Sequence, residues 1–246
     1  MAASKWRLIP LLVTTGAEQM AIDRWLLAQH AQGLQPPSLR FYEWRSPTIS
    51  LGYHQQQFPD HWKTLQYKGQ SVDLVRRPTG GRAVLHQGDL TYALVTSGLQ
   101  GSRRAVYHQL CQFLIEGWRC LGIDLSLGAA GRSYIKNPNC FGSATSADLV
   151  MSDGYKLIGS AQVYREGCVL QHGSMRLQAD VDLFEAVFGE QTCSSDSLEY
   201  LLATYKTEDI VNALVTAARS TFEVDFDLQP LTSEERAQAI AGTADT

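Results

Sequence analysis

The elements read along the chain come in the order strand, helix, strands, helix, strands, helix, without regular βαβ alternation, and this order predicts an α+β fold. Composition agrees with a well-buried globular chain: 44% of residues are hydrophobic and 19% charged, against the ~25% charged residues usual in soluble proteins. At 246 residues the chain is long enough to bury roughly 70 to 75% of its unfolded surface, in one large core or two modest ones. Disulfides and metals are not needed to hold such a core.

The first helix begins at Thr15-Gly16-Ala17-Glu18, which has capping-box spacing, and Met20, Ala21, Trp25 and Ala28 recur at helical intervals until Gly33 and Pro36-Pro37. Leu39 to Trp44, ending at Ser46-Pro47, and Thr48 to Leu51 before Gly52 predict two adjacent strands. Asp60 caps a short helix through Tyr67, ended by Gly69, and Val72–Val75 and Leu90–Thr96 are strands joined by Arg76–Gln87, a segment too long for an ordinary hairpin turn. Val106, Leu110, Phe113, Leu114, Gly117, Trp118 and Leu121 follow the 3.6 period of a central helix stopped by Gly122. Gly128 to Cys140, rich in Gly, Asn, Ser and Pro, reads as a long loop. Ala147–Met151 and Tyr155–Ala161 form a hairpin about Ser152-Asp153-Gly154. Then come a short strand at Cys168–Gln171, a short helix at Asp182–Phe188, a polar link at Gln191–Asp196, a helix at Thr207–Phe222 and an alternating strand at Phe222–Leu228. Residues 1–240 are expected to form a single domain, with 241–246 a small, polar, flexible tail.

Charge and cysteine usage exclude several partners. The chain carries 21 Lys+Arg against 25 Asp+Glu, a formal net charge of -4. Its basic pairs, Arg76-Arg77 and Arg103-Arg104, give no footprint for duplex nucleic acid, so no nucleic-acid partner is expected. Leu8–Val13, the longest apolar stretch near the N-terminus, is broken by Pro10 and falls far short of the ~20 residues of a spanning helix. It has no signal-peptide cleavage pattern, and no membrane partner is expected. Cys111, Cys120, Cys140, Cys168 and Cys193 are odd in number and unpaired in spacing, which predicts reduced thiols in a cytoplasmic protein. No C-x-x-C pair occurs, and His30, His54, His61 and His108 lack metal-ligand spacing, so no metal is expected.

Three stretches can carry chemistry. In Arg76-Arg77-Pro78-Thr79-Gly80-Gly81-Arg82-Ala83-Val84-Leu85-His86, paired glycines let backbone approach a ligand, and Arg76, Arg77 and Arg82 supply planar donors for phosphate or carboxylate. The plainer reading is a Gly-rich connection with solvated arginines. In Lys156-Leu157-Ile158-Gly159-Ser160-Ala161-Gln162, followed by Gln171-His172-Gly173-Ser174, Lys156 is either a solvated hairpin lysine or one aimed into a slot beside the small Gly159, Ser160 and Ala161. There it would bind an acyl carbonyl or oxyanion and depress a thiol pKa. The third is Asn139-Cys140-Phe141-Gly142. Cys140 and Cys193 lie in loops with small polar neighbours, where a thiolate can react, whereas Cys111 and Cys120 lie in a helix as inert buried thiols and Cys168 opens a strand.

Together these stretches resemble the biotin/lipoate protein ligase superfamily, and within it the lipoate-ligase-like octanoyltransferases. The resemblance runs from Gly16-Ala17-Glu18-Gln19-Met20-Ala21-Ile22-Asp23 through Arg45-Ser46-Pro47-Thr48 and the Arg76–His86 loop to His172-Gly173-Ser174. It implies a mixed, mainly antiparallel sheet with helices packed on one side. It also implies an acyl site lined by the Arg76-Arg77-Pro78-Thr79-Gly80-Gly81 loop, with Lys156 on the acyl carbonyl. Lipoate ligases usually carry a third glycine where this chain has Arg82, an aspartate where it has Gln87, and often a further C-terminal domain, for which the residues after Phe226 are too few. The Gly-Gly-Arg version with Cys140-Phe141 resembles the octanoyltransferases instead.

The implied reaction is ping-pong acyl transfer with no cofactor. Cys140, activated by Lys156, attacks the thioester of octanoyl-acyl carrier protein, and a lysine of a lipoyl domain or glycine-cleavage H protein then takes the octanoyl group. Substrate contacts are implied for Arg76, Arg77, Thr79, Gly80, Gly81, Arg82, His86, Gly159, Ser160, Ala161, Gln162, His172 and Gly173. Backbone N–H groups around Gly80, Gly81 and Gly159 are candidate oxyanion donors, each typically worth ~3 to 4 kcal/mol. The alternatives are an ATP- and Mg-dependent lipoate-protein ligase working through lipoyl-AMP, and a degenerate member that only binds or relays an acyl group. Cys193 is the rival nucleophile.

Overall fold

The computed structural model describes residues 4–128, 147–189 and 194–242. The chain runs β1 (Ser4–Thr14), α1 (Gly16–Ala31), β2 (Ser38–Trp44), β3 (Thr48–Leu51), a 3-10 turn (Asp60–Thr64), β4 (Gln66–Tyr67), β5 (Gln70–Ser71), β6 (Asp73–Arg76), β7 (Val84–His86) and β8 (Asp89–Ser97). It continues with α2 (Arg103–Cys120), β9 (Leu125–Leu127), β10 (Asp148–Met151), β11 (Lys156–Arg165), β12 (Cys168–Arg176), α3 (Val181–Phe188), α4 (Asp196–Thr204), α5 (Thr207–Phe222), β13 (Val224–Leu228) and α6 (Ser233–Ala241). The predicted Asn139–Gly142 stretch, with Cys140, and Cys193 lie outside the described residues, as do most of the Gly128–Cys140 loop and of the tail.

An eight-stranded sheet in the order β13-β1-β2-β8-β12-β11-β10-β9 forms the body. β1 pairs in parallel with β13 and β2, and the remaining neighbours are antiparallel, so the sheet is mixed and mainly antiparallel. The apolar stretch around Pro10 is the middle of β1, where the register with β2 shifts between Ile9 and Leu12. A proline without an N–H is tolerated at such an irregularity.

β8 is buried from Asp89 through Thr96 because both faces of the sheet are covered. Leu90, Tyr92 and Leu94 join Phe41 of β2 and the helices α2 and α5 in one core, while Ala93 and Val95 join Tyr42 and α1 in another. Helices thus occupy both faces, not one. α1 starts where its cap predicted, with the Glu18 N–H donating to Thr15 Oγ1, and α2 stops before Gly122 at φ +90°.

The strands predicted as adjacent part company: β2 enters the large sheet, whereas β3 is the centre of a small one, β6-β3-β7. Trp62, fully buried, seals this small sheet against α3, its indole donating to the Val187 carbonyl at 2.9 Å. The expected Asp60–Tyr67 helix is only one 3-10 turn, followed by β4. Two helices were not predicted, α4 and α6. The latter is held down by Arg7, whose guanidinium donates to both Glu235 oxygens at 2.7 and 2.8 Å and to the Pro230 carbonyl at 2.8 Å.

α2 and α5 meet at Gly117, where a Cβ would lie 2.7 Å from Leu214 Cδ2 and 3.0 Å from Leu214 Cα. Backbone cannot yield there as a side-chain tip can, so Gly117→Ala should destabilise the fold by about 1–3 kcal/mol. Urea unfolding followed by circular dichroism measures this, and an unchanged midpoint would refute the packing assignment.

Candidate active site

The small sheet exists to present the Arg76–His86 loop. β3 ends at Gly52, where a Cβ would sit 1.9 Å from the Gly81 carbonyl oxygen, and Gly81 itself has φ +99°. Both positions therefore require glycine. Arg77, buried, donates to the carbonyls of Ser50 (2.8 Å), Gly80 (2.9 Å) and Arg82 (2.6 Å). Arg76 donates through one nitrogen to Gly52 O (2.7 Å), Tyr53 O (3.2 Å) and Gln55 O (2.8 Å). Expected as substrate contacts, these two guanidiniums also clamp the loop over β3 through its carbonyls.

Where this loop meets β11 and β12 lies a pocket with ≈ 80 Å³ of space open to the centre of a water molecule. The loop contributes Arg77, Gly80, Gly81 and His86; β11 contributes Gly159, Ser160 and Ala161; β12 contributes His172 and Gly173. Met20, Tyr42 and Trp44 supply an apolar and aromatic wall. Four predicted contacts stand off it. Thr79 is buried behind His172, Arg82 is not among the lining, and Arg76 and Gln162 line a separate outer groove. Gly173 keeps the pocket narrow without blocking it, since a Cβ there would fall 2.3 Å from Ser160 Oγ.

Two buried chains of hydroxyl, imidazole and carboxylate fix the histidines. In the first, His86 Nδ1 donates to Asp89 Oδ2 at 2.8 Å, leaving Nε2 to accept from Ser50 Oγ at 2.8 Å. Ser174 and Thr91 also donate to Asp89 Oδ2, at 2.6 and 3.1 Å, and the Trp44 ring stacks on His86 at 3.8 Å. Burial holds the His86 pKa below its ordinary value, with Asp89 opposing, so the ring is neutral. In the second, His172 Nδ1 bonds Asp23 Oδ2 at 2.7 Å and its Nε2 bonds Thr79 Oγ1 at 2.6 Å. Burial would raise the Asp23 pKa, but the charge of Arg40, 3.0 Å away, and the bonds from His172 and Tyr42 hold it below the usual carboxylate value.

Lys156 is not solvated. It is 6% exposed and its Nζ lies 2.9 Å from Asp148 Oδ1, a carboxylate on the pocket wall. A Cβ on Gly159 would come within 3.3 Å of Lys156 Cε, so the small residue there makes room for the lysine. Cys111 is buried, and burial pushes its thiol up to about 12, an inert state as expected. Cys168 is buried too, but Cys120, expected inside the helix core, is exposed. Among the described residues no cluster of His, Cys, Asp and Glu is arranged to hold a metal ion, and no helix is long and apolar enough to cross a membrane.

The profile of the lipoyl protein ligase A/B catalytic domain matches residues 15–218, which span the pocket and both hydrogen-bond chains. The chain belongs to this family. Among curated relatives, the octanoyltransferase LipM of Kyrpidia tusciae is 36% identical over 231 residues, 87% of this chain and 82% of that protein. The LipM of Geobacillus kaustophilus is 32% identical, with 96% and 93% coverage, and that of Moorella thermoacetica 40% identical, with 76% and 70%. Of solved structures, a putative lipoate protein ligase from T. acidophilum with bound lipoic acid superposes with a TM-score of 0.79 at 24% identity, covering 100% of this chain and 95% of that one. A lipoate-protein ligase A bound with ATP gives 0.77 at 25%, with the same coverage.

Several residues of this lipoyl ligase-type site escaped the sequence reading. Asp23 and Ser50 act through contacts between distant segments, whereas Asp89 and Asp148 bond residues three and eight positions away, and only the α1 motif that carries Asp23 gave any signal. The buried neutral His86 makes a pH prediction. Unfolding exposes an imidazole that binds a proton near its ordinary pKa of 6.5, above the folded value, so the unfolded state gains more protons below that pH and stability falls. The melting temperature should drop between about pH 7 and about pH 5, and His86→Gln should make that drop shallower. An identical pH profile for variant and parent would contradict the burial of a neutral ring.

Proposed function

We propose that this protein is an octanoyltransferase of lipoate biosynthesis, moving an octanoyl group from acyl carrier protein to a lysine of a lipoyl domain or glycine-cleavage H protein. The carrying observation is the likeness to LipM octanoyltransferases across most of both chains, 36% over 231 residues in one case. The pocket supports it: a narrow, partly aromatic slot beside a buried lysine suits a short acyl chain with its carbonyl at the Lys156 end.

Cys140 is the proposed nucleophile. Ala147, seven residues after it in the sequence, lines the pocket, and Asp148 is the partner of Lys156. The Lys156 ammonium favours the thiolate, which attacks the thioester carbonyl, and collapse of the tetrahedral intermediate expels the carrier thiolate. Lys156 and neighbouring backbone N–H groups stabilise the oxyanion. The acceptor lysine, having lost its ammonium proton, attacks the acyl-cysteine carbonyl, the C–S bond breaks to release the Cys140 thiolate, and the nitrogen gives up a second proton to leave the amide. Exchange of one thioester for another is nearly isoenergetic and conversion to an amide is downhill, so no ATP, Mg or other cofactor is needed. The expected setting is the reducing cytoplasm. Asp148 positions Lys156, while Ser50–His86–Asp89 and Thr79–His172–Asp23 hold the pocket walls.

Incubation of the protein with octanoyl-acyl carrier protein and a lipoyl domain should yield octanoylated domain without ATP. Lys156→Ala should slow transfer by about 10²- to 10⁴-fold, with Asp148→Asn intermediate. A product that forms only with lipoate and ATP would instead establish the ligase.

A further inference from the structure

Beside the acyl pocket the described surface carries a second, larger groove, running between α1 and β11 and sharing Met20, Arg77 and Gly80 with the pocket. Five arginines line it, Arg24, Arg76, Arg77, Arg103 and Arg165, and no Asp or Glu does. In a chain of net charge -4 this is a marked local excess. The carboxylates of α1 are turned away from it. Asp23 is buried on Arg40, Tyr42 and His172, and Glu18 is held by Thr14 and Arg236. Glu166, exposed and 3.4 Å from Arg165, stands just outside the lining.

The arginines differ in what they offer. Arg76 and Arg77 have donors committed to carbonyls and contribute mainly charge. Arg24 donates to the Arg76 carbonyl at 3.1 Å, yet its buried Nε has no hydrogen-bond partner. Arg103 lies over the Tyr164 ring at 5.1 Å, and Arg165 is the residue after Tyr164 in β11. Planar guanidiniums around a concave surface continuous with an acyl slot match one feature of a carrier-bound thioester. Its acyl chain enters the pocket while the arm that bears it leaves along the protein, ending in a phosphodiester.

We propose that this groove is the binding site for the donor's phosphopantetheine arm, with Arg24, Arg103 and Arg165 receiving its phosphate. The proposal rests on the reading of the donor as an acyl carrier protein thioester, and it specifies how that donor is recognised apart from its acyl chain.

Calorimetric titration with phosphopantetheine and with pantetheine, which lacks the phosphate, tests the site without turnover. The phosphorylated arm should bind about tenfold tighter, and Arg103→Gln with Arg165→Gln should abolish the preference, as should Arg24→Gln alone in part. Arg103→Lys should restore some of it. Equal binding of the two arms, or a preference that survives the double substitution, would overturn the proposal. So would discrimination seen only with intact carrier protein, which would mean that its own acidic side chains are read instead. If the arm binds as predicted but no octanoyl thioester acylates the protein, the groove stands and the transferase reading fails.

Discussion

The carboxylate of Asp23 is the junction on which the site depends. It projects from α1, is fully buried, and accepts from Arg40 and Tyr42 of β2 and from His172 of β12. Through His172 it also reaches Thr79 in the arginine-glycine loop. One charge thus fastens a helix, two strands of the large sheet and the loop of the small one. A buried carboxylate stripped of one partner costs about 3–5 kcal/mol, so these four segments are held in one mutual arrangement.

The rest of the site follows from that fixed frame. With β12 pinned, Gly173 faces Ser160 of β11 at a separation only glycine tolerates. With the loop pinned, Arg77 draws the carbonyls of Ser50, Gly80 and Arg82 around a single guanidinium, and His86 is trapped between Asp89 and Trp44. Little of this polar apparatus is directed at a ligand. It makes the pocket walls rigid and places the Lys156–Asp148 pair at one of them.

Much of this was legible in the sequence. Helical periodicity located α1, α2 and α5, and the small residues Gly159, Ser160 and Ala161 pointed to a narrow slot, and they do line the pocket. That Arg76 and Arg77 also clamp their loop was not legible, because composition shows a guanidinium's capacity to bind anions but not the carbonyls that a folded loop turns toward it. The division of β2 and β3 between two sheets is set by tertiary pairing, which local pattern does not record. α6 was different: Thr232 and Glu235 have capping-box spacing, and the Glu235 side chain does return to the Thr232 N–H. Its start is therefore encoded locally. Asp148, the first residue of β10, had nothing local to distinguish it.

In the proposed mechanism an acyl group rests covalently on a cysteine of this chain before it reaches the acceptor. Mass analysis of the protein after exposure to octanoyl-acyl carrier protein alone, with neither acceptor nor nucleotide, tests it most directly. One octanoyl adduct per chain is expected, removed by hydroxylamine and carried on the peptide that contains Cys140. An adduct on the Cys193 peptide would move the nucleophile, and the absence of any adduct while transfer proceeds would contradict the mechanism.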